Sequence, residues 1–439
     1  MEAVWHRFDT SDPQGKGIEF KPRTGHTIVS HGSSVLVFGG TDGRRCQQHH
    51  AFRLDSEPDK GRILQLTGTW THIEVCGEVN TLERRLSAST LCGCGRHIYH
   101  FGGHMGPSAP PQNDLISFDL TNAYVHTVSQ EGHVPAPRIG HSLVQHNGRL
   151  YVFGGHDGHV RFDAVHYADT AGACLGGGVR WLVDEHAELS AFPQPRHGHT
   201  AVVHDEIGDS SAGAMVVFGG WTGSKTSNEL WVWSFKTHQW VEVRPLGSQP
   251  RPRYRHSAVR VHDAMLVYGG VEDAQSRLTD LHRLDLVSWN WAEVRCCGHV
   301  PRAHAFHSAA VLGRLMVVVG GFDGRVRLAD VTAVEWDAVA APPSLQWLCA
   351  RYIRANIVQL LRCSRLRTLP EHIAESILWN RDAYGELRGS CEHCACSLCI
   401  PMRGHGDLCL CGHACKAHIA VSAIVRGALC HEVPRAKSI

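Results

Sequence analysis

A pair of adjacent glycines closes an apolar run six times along the chain. The first pair is Gly39-Gly40, and the others follow at separations of 63, 52, 65, 50 and 51 residues. The six runs read VLVFGG, IYHFGG, LYVFGG, MVVFGG, MLVYGG and MVVVGG. Continuous apolar runs of this length are typical of strands covered on both faces. A period near 50 residues therefore predicts a repeat architecture in which neighbouring units bury one another.

A second motif precedes most of these runs by about 15 residues. It reads PRTGHT, PRIGHS, PRHGHT, PRYRHS and PRAHAFHS, and the second repeat carries the weaker RRLSAS. Together the two motifs resemble those of kelch-repeat proteins over about residues 1–340. The resemblance implies an all-β fold, a six-bladed kelch β-propeller over residues 1–341, which would serve as a rigid binding platform.

Aromatic residues on the predicted outer strands suggest how the ring closes. Five repeats carry one 20 to 30 residues beyond the double glycine, namely Trp70, Tyr124, Trp181, Trp240 and Trp291. The sixth repeat has none, because Pro342-Pro343 ends its strand pattern. We therefore expect the N-terminal strand with Trp5 to complete the last blade, which removes exposed strand edges. The alternative is that Trp5 belongs to a loose terminal arm.

The histidines give little reason to expect catalysis in the propeller. Some kelch propellers are copper oxidases, which need tyrosine and histidine around the axis, but here a histidine recurs in the PRxxH-type motif of five repeats. A residue that recurs in every repeat is more economically a structural hydrogen-bonding group, so we expect no catalytic residue and no enzyme. The loops TDGRR, HDGHVR, WTGSK and FDGRVR predict a basic rim that suits an acidic group or a peptide carboxylate. Solvated loops without a ligand are the alternative.

Residues 342–380 change from a strand to a helical pattern. Apolar residues at three- and four-residue spacing predict one amphipathic helix from Ser344, and TLPEHIAESILW predicts a second, short helix. A helical hairpin with only a structural role would satisfy this pattern.

The same residues also resemble two boxes of ubiquitin-ligase receptors. SLQWLCARYI is similar to the elongin-binding box, and LPEHIAESI is similar to the cullin-2 box. The resemblance implies elongin contacts for Leu345, Cys349 and Ile353, and cullin contacts for Leu369, Pro370, Ile373 and Ile377. It implies a substrate-binding adaptor of a cullin-2/elongin B–C ligase whose propeller recognises a protein client, such as a C-terminal degron. The rival is a kelch scaffold or trafficking protein with no ligase link.

The degron pocket of such receptors does not carry over to this chain. Their two arginines and one serine fall here on Trp221, near Thr226 and on Tyr254. Lys225, Arg253 and Arg255 could form a different anion pocket, because guanidinium groups hold carboxylates in bidentate fashion. The repeat motif explains Arg253 but not Arg255.

The C-terminal segment 388–439 is rich in cysteine and histidine. Eight of the 17 cysteines lie between Cys391 and Cys430, and the spacing resembles a CxCGHxxxxH metal-binding knuckle. Short CxC steps supply pairs of zinc ligands, so we expect structural zinc with the ligands Cys394, Cys396, Cys409, Cys411, His413 and His418. One ion or two, a disordered thiol-rich tail, and a metal-dependent activity all stay open.

Charge and composition limit the classes of partner that the chain is expected to bind. With 43 basic and 42 acidic side chains, we expect neither nucleic acid nor a membrane surface as partner. No apolar run of about 18 residues and no secretory signal pattern is visible. We therefore expect a cytoplasmic or nuclear location, with the scattered cysteines as buried free thiols.

Overall fold

Each apolar run that ends in a double glycine forms a strand in the computed structural model of the protein. This structure describes residues 2–9, 20–44, 46–54, 66–106, 108–174, 176–184, 191–205 and 213–335. They all belong to the first of the two units into which the chain divides, Met1–Ala341. The predicted helical segment 342–380 and the predicted Cys/His-rich segment 388–439 lie outside the described residues. Within the described ranges, no helix has the length and apolar character needed to cross a membrane.

The first part of the chain forms one separate strand and two four-stranded antiparallel sets. Strand β1 (Glu2–Asp9) comes first. Set 1 comprises β2 (Thr27–His31), β3 (Ser34–Phe38), β4 (His50–Leu54) and β5 (Leu66–His72). The short β6 (Cys76–Gly77) and a 3₁₀ helix (Val79–Leu82) follow. Set 2 comprises β7 (Ala88–Leu91), β8 (His97–Phe101), β9 (Leu115–Asp119) and β10 (Tyr124–Val128).

Two further sets repeat this arrangement. After β11 (Gln130–Gly132), set 3 comprises β12 (Ser142–His146), β13 (Arg149–Phe153), β14 (Val165–Asp169) and β15 (Val179–Asp184). A single helical turn, α1 (Ala171–Cys174), connects β14 with β15. Set 4 comprises β16 (Thr200–His204), β17 (Ala214–Trp221), β18 (Thr226–Ser234) and β19 (Trp240–Val243).

The last two sets differ in how they are completed. After β20 (Leu246–Gly247), set 5 comprises β21 (Ser257–Val261), β22 (Ala264–Tyr268), β23 (Leu281–Asp285) and β24 (Asn290–Gly298). Set 6 takes three strands from its own repeat, β25 (Ser308–Leu312), β26 (Leu315–Phe322) and β27 (Arg327–Glu335). Its fourth strand is β1, which pairs antiparallel with β27. The described strands thus form an all-β propeller, as the repeat predicts.

Strand β1 joins both ends of the described chain. Trp5 lies opposite Val334 of β27, while the same strand pairs in parallel with the ends of β24 and β5. The Trp5 side chain is fully buried, with its ring centroid 4.7 Å from that of Tyr268 in set 5. Trp181, Trp240 and Trp291 pack on the preceding set in the same way, through Phe101, Phe153 and Phe218. Trp5 is therefore an outer-strand tryptophan and not part of a loose arm.

A closed ring of six backbone hydrogen bonds links the sets at the turns before their first strands. Each N–H donates to the carbonyl of the preceding set, at 2.7 to 3.1 Å, and the last bond runs from set 1 to set 6. The six residues are Gly25, Leu86, Gly140, Gly198, Arg255 and Phe306. The first strands of the sets also contact one another in a closed circuit, in which β2 lies against both β7 and β25. The six sets therefore close into a continuous circuit around the centre of the assembly.

The double glycines are required because neighbouring backbones approach closely beside them. Gly219 and Gly220 both have positive φ. A Cβ at Gly219 would lie 2.6 Å from the carbonyl oxygen of Arg253, and one at Gly220 would lie 3.0 Å from Cβ of His199. Because neither glycine has a Cβ, the two backbones can approach each other, and the Gly220 N–H donates to the Arg253 carbonyl at 2.9 Å. Glycine at both positions thus permits the contact between sets 4 and 5.

The repeated histidines are structural, as their recurrence predicts. His26, His141, His199, His256 and His307 are all buried. Four of them bond to the preceding set; His256 Nε2, for example, lies 2.8 Å from Thr200 Oγ1. Burial first, and then nearby arginines or histidines, lowers the pKa of His26 and His141 to about 3 and that of the other three well below 6.5. All five are neutral at neutral pH.

These histidines predict that stability falls in mild acid. In the unfolded chain they bind protons below about pH 6.5, whereas in the folded chain they stay neutral to much lower pH. The unfolded state then holds more protons, so the free energy of unfolding decreases as the pH drops through this range. Each histidine contributes up to about 1.4 kcal/mol per pH unit, and the loss is absent above about pH 6.5. Urea unfolding between about pH 7.5 and 5 measures it.

Two variants separate this effect from general acid sensitivity. We expect His256→Gln to make the free energy of unfolding less dependent on pH, because it removes one buried titrating group. His31→Gln alters an exposed histidine on β2 and leaves the dependence unchanged. A free energy of unfolding that stays constant between about pH 6.5 and 5 would contradict the prediction.

The closure by β1 predicts a large effect of Trp5→Ala. This change removes a fully buried side chain that contacts set 5, and such changes cost about 3–5 kcal/mol. The matched control is Val4→Ala on the same strand, where the side chain is 46% exposed and the expected cost is about 0.5 kcal/mol or less. Chemical denaturation of both variants measures the difference, and equal costs would show that β1 does not hold the ring closed.

Candidate functional site

Two kinds of turn meet on one face of the propeller. The turn before each first strand forms a β-bridge with the loop that follows the double glycine of the same set. Examples are Arg85 with His104, His197 with Trp221, and Tyr254 with Val271. We call this surface the loop face. Loops on a rigid scaffold are where binding residues concentrate, and the loop face carries the basic loops that the sequence singled out.

Arg255 occupies a position in the hydrogen-bonded ring where sets 1, 3 and 4 have glycine. Its φ is 55°, and the other non-glycine residues of the ring, Leu86 and Phe306, have φ of 58° and 59°. The left-handed conformation costs a non-glycine residue roughly 1–2 kcal/mol. Such strain persists only where the surroundings impose it, and it concentrates at functional sites. Arg255 is therefore a strong candidate for a functional residue.

The Arg255 side chain extends across the neighbouring ring positions. A Cβ at Gly140 would lie 2.8 Å from its Nη1, and one at Gly198 would lie 3.2 Å from its Cδ. Its guanidinium carbon lies 5.3 Å from the centroid of the Phe306 ring. Burial lowers the pKa of Arg255 to about 10, so the side chain stays charged at neutral pH. Among the described residues, no carboxylate lies within ion-pair distance of it.

Three more arginines are linked to Arg255 electrostatically, directly or through a shared neighbour, and we call the four the arginine cluster. They are Arg85, Arg161 and Arg327. Burial, followed by the charge of Arg327, lowers the pKa of Arg85, and Arg85 in turn acts on Arg255. Nε of Arg161 is buried without a hydrogen-bond partner, which leaves a cationic group incompletely satisfied. The cluster therefore concentrates positive charge that an anion would neutralise.

Histidines between these arginines add polarity but no charge at neutral pH. Burial, then Arg255 and Arg161, lowers the pKa of His156 to about 4. The pKa values of His104 and His197 are lowered chiefly by burial as well, with Arg255 among the further causes. These three histidines therefore add no positive charge to the arginine cluster at neutral pH.

Aspartates at the loop tips are held by their own loops. Asp157 Oδ1 accepts hydrogen bonds from the backbone N–H groups of His159 and Val160 at 2.8 and 2.7 Å. Asp323 accepts from its loop in the same way and also pairs with Arg302 at 3.2 Å. These backbone bonds are the main cause that lowers the pKa of both carboxyls. These two carboxylates therefore stabilise the conformation of their own loops.

The three predicted substrate-binding residues have different environments. Arg255 lies in the ring, and Lys225 lies on an exposed loop, where its Nζ is 3.3 Å from Glu229. Arg253 is fully buried and bonds to Asp280 at 2.7 and 2.9 Å and to the Gly269 carbonyl at 3.1 Å. The Arg253 guanidinium is thus bonded within set 5, and a substrate contact for Arg253 stays a prediction.

Aromatic residues stand beside the arginine cluster. The rings of Trp221 and Tyr254 lie 6.0 Å apart, and His197 packs edge-on against Tyr254. Trp221 and Tyr254 are the positions where the resemblance would place an arginine and a serine. The predicted elongin, cullin and metal residues, from Leu345 to His418, lie outside the described residues.

Sequence reasoning missed Arg85, and it included Arg161 and Arg327 only as members of the predicted basic loops HDGHVR and FDGRVR. A usable signal was present, because Arg161 and Arg327 each stand six residues after the second glycine of their repeats. Arg85 directly follows the buried Arg84 in the weak second motif. Each looks like an ordinary loop arginine until the ring brings the loops together.

Comparison with known proteins supports the repeat assignment. Residues 87–321 match the model of the KLHDC2/KLHL20/DRC7 kelch-repeats domain. The chain is 31% identical to host cell factor homolog hcf-1 of Caenorhabditis elegans, over 71% of this chain and 41% of that protein. It is 27% identical to a leucine-zipper-like transcriptional regulator 1 homolog of Drosophila melanogaster, over 72% and 31%. It is 26% identical to kelch domain-containing protein 3 of Bos taurus, over 47% and 57%. The chain thus spans less than two thirds of each relative.

The geometry of Arg255 predicts opposite effects of Arg255→Gly on stability and on binding. Glycine removes the strain of the left-handed conformation but loses more backbone entropy on folding. The net effect raises the free energy of unfolding by up to about 1 kcal/mol. Removing the guanidinium weakens binding of a fluorescent oligoglutamate peptide about tenfold to hundredfold. Denaturation and fluorescence anisotropy measure the two effects. Leu86→Gly is the matched control, because it changes an equivalent ring position without removing charge, and it leaves peptide affinity unchanged. Wild-type affinity in Arg255→Gly would contradict the assignment.

Proposed function

This chain belongs to the kelch-repeat family, and we propose that its six strand sets are the blades of one closed propeller that holds a protein client. Kelch-repeat domains are protein-binding domains, and the match covers residues 87–321. The closed ring of backbone hydrogen bonds and the pairing of β1 with β27 support six blades. A closed, rigid ring presents its loops in fixed positions, which lowers the entropic cost of binding.

The client that best fits the loop face is an acidic segment or a chain ending in a free carboxylate. Arg255 carries this inference, because it is a charged side chain in a strained ring position without a carboxylate partner among the described residues. Arginine holds carboxylates in bidentate fashion. Trp221 and Tyr254 add aromatic surface beside it, and such residues are enriched where peptides and proteins bind. The proposed role is non-enzymatic binding.

The C-terminal part of the chain would couple this client to a ubiquitin ligase. The boxes at residues 344–378 match the patterns for elongin B–C and for cullin-2, in the right order and directly after the propeller. On this proposal, the chain is a substrate adaptor without an active site of its own. The Cys/His pattern of residues 388–439 would bind structural zinc. Such an adaptor would work in the cytoplasm, the nucleus or both.

The relatives favour a second candidate function, a scaffold without a ligase link. Two of them carry the names host cell factor homolog and transcriptional regulator homolog. In that case the same loop face would hold a partner, and the helical segment would have only a structural role.

Co-purification with elongins B and C separates the two candidates. We expect both elongins to accompany the full-length wild-type chain. The double variant Leu345→Asp, Cys349→Lys loses them, because charges on the predicted apolar face prevent burial in the elongin pocket. Arg354→Ala is the matched control, since its position is nearly opposite that face at 100° per residue, and it retains both elongins.

Each result decides between the proposals. Absence of elongins from wild-type complexes overturns the adaptor proposal and leaves the scaffold. Equal recovery with wild type and the double variant would show that the elongins do not bind through this helix. Far-ultraviolet circular dichroism of each variant checks that the propeller still folds.

A further inference from the structure

Three cysteines from two neighbouring strand sets meet at one point of the propeller. Cys92 directly follows β7 of set 2, Cys94 lies in the turn before β8, and Cys174 ends α1 of set 3. Their three sulfur atoms all lie within 4.8 Å of one another, and those of Cys92 and Cys94 are 2.8 Å apart. The sequence pattern gave no reason to group them, because neither the CGC turn nor Cys174 belongs to the repeated motifs.

Hydrogen-bond donors and one cation lie around the three sulfurs. The backbone N–H of His97 donates to Cys92 Sγ at 3.1 Å, and Tyr99 Oη lies 3.4 Å from Cys174 Sγ. The Arg96 guanidinium, which pairs with Asp119 at 2.8 Å, also interacts electrostatically with Cys94 and Cys174. Hydrogen-bond donors and a nearby cation stabilise negative sulfur. The turn from Cys92 to His97 therefore supplies two candidate ligands, together with the N–H group and the guanidinium that lie near them.

A metal ion can reach the three sulfurs from solvent on the side of Cys94. Cys92 is buried, Cys174 is partly buried and Cys94 is exposed. Sulfur ligands lie about 2.3 Å from a zinc ion, so sulfurs around one ion stand roughly 3.7 Å apart in a tetrahedron. The observed separations, from 2.8 Å to at most 4.8 Å, lie on both sides of this spacing. The open side at Cys94 would leave a fourth position for water or an external ligand.

We propose that Cys92, Cys94 and Cys174 bind one thiophilic cation, zinc, at the junction of sets 2 and 3. Thiolates select zinc or copper(I) over magnesium and calcium, which prefer oxygen ligands. Zinc displaces the thiol protons on binding, so no redox step is involved. The ion would connect α1, a single helical turn, to the CGC turn of the neighbouring set. This site uses cysteines other than those predicted to bind zinc in residues 388–439.

Metal content of the full-length protein tests the proposal. Reduced wild type, Cys94→Ser, Cys174→Ser and Cys76→Ser are each equilibrated with zinc and dialysed, and bound zinc is measured by mass spectrometry. We expect Cys94→Ser and Cys174→Ser to hold one zinc fewer per chain than wild type. Cys76→Ser is the matched control, because Cys76 is also an exposed cysteine of the same region, and it matches wild type. All four chains keep the C-terminal cysteines, so these contribute equally.

Two further measurements keep the result decisive. Circular dichroism confirms that each variant folds, and Cys94→Ser changes only an exposed side chain. Cobalt(II) as a probe gives a thiolate-to-metal absorption band that weakens in Cys94→Ser but not in Cys76→Ser. Equal zinc in wild type, Cys94→Ser and Cys174→Ser overturns the proposal. So does a count of free thiols that shows Cys92 and Cys94 joined as a disulfide in the protein as isolated, or selective binding of copper(I) without zinc.

Discussion

The ring of six backbone hydrogen bonds is the constraint on which the rest of the propeller depends. Every N–H in the ring donates to the carbonyl one set back, so no set can shift without breaking two bonds. The bond from Gly25 to Phe306 ties the first repeat to the last. This contact requires the left-handed conformation in all six residues. Where a repeat lacks glycine at this position, its backbone is strained, and the other contacts of the set must compensate for the cost of that strain.

The ring also explains why two arginines only two residues apart have different roles. Arg253 lies where the side chain points into the set, and Asp280 and the Gly269 carbonyl satisfy its charge. Arg255 lies in the ring itself, where its side chain crosses Gly140 and Gly198. A departure from the local rule at one position, with no compensating ion pair among the described residues, is typical of a functional site. The proposed recognition residue is therefore Arg255, whereas Arg253 bonds within its own set.

The loop face and the cysteine cluster arise from different parts of the same architecture. The loop face collects residues from equivalent positions of several sets, so its charge is a property of the ring as a whole. The cluster of Cys92, Cys94 and Cys174 arises at one junction, from two connections that depart from the repeat. A binding face for a client and a metal-supported junction are compatible, because they use different residues and different sets of loops.

Much of the fold was determined by the sequence alone. The spacing of the double glycines predicted the strands, the apolar runs predicted burial on both faces, and the missing sixth aromatic predicted the place of Trp5. These predictions succeed because they concern periodicity and backbone conformation, which are local properties that recur in each repeat. The same recurrence identified the buried histidines as structural groups.

Only the tertiary structure decided which charged and sulfur-containing residues come together. Arg85, Arg161 and Arg327 come from different repeats, and Cys174 is far from Cys92 in sequence. Their proximity depends on how the ring closes and on the path of single loops, which no repeated pattern encodes. Burial is equally non-local, since the motif that contains Arg253 does not reveal that its guanidinium is enclosed by Asp280 and the adjacent backbone. The proposed sites of this chain are therefore departures from the repeat, and their surroundings are known only once the ring has placed them in space.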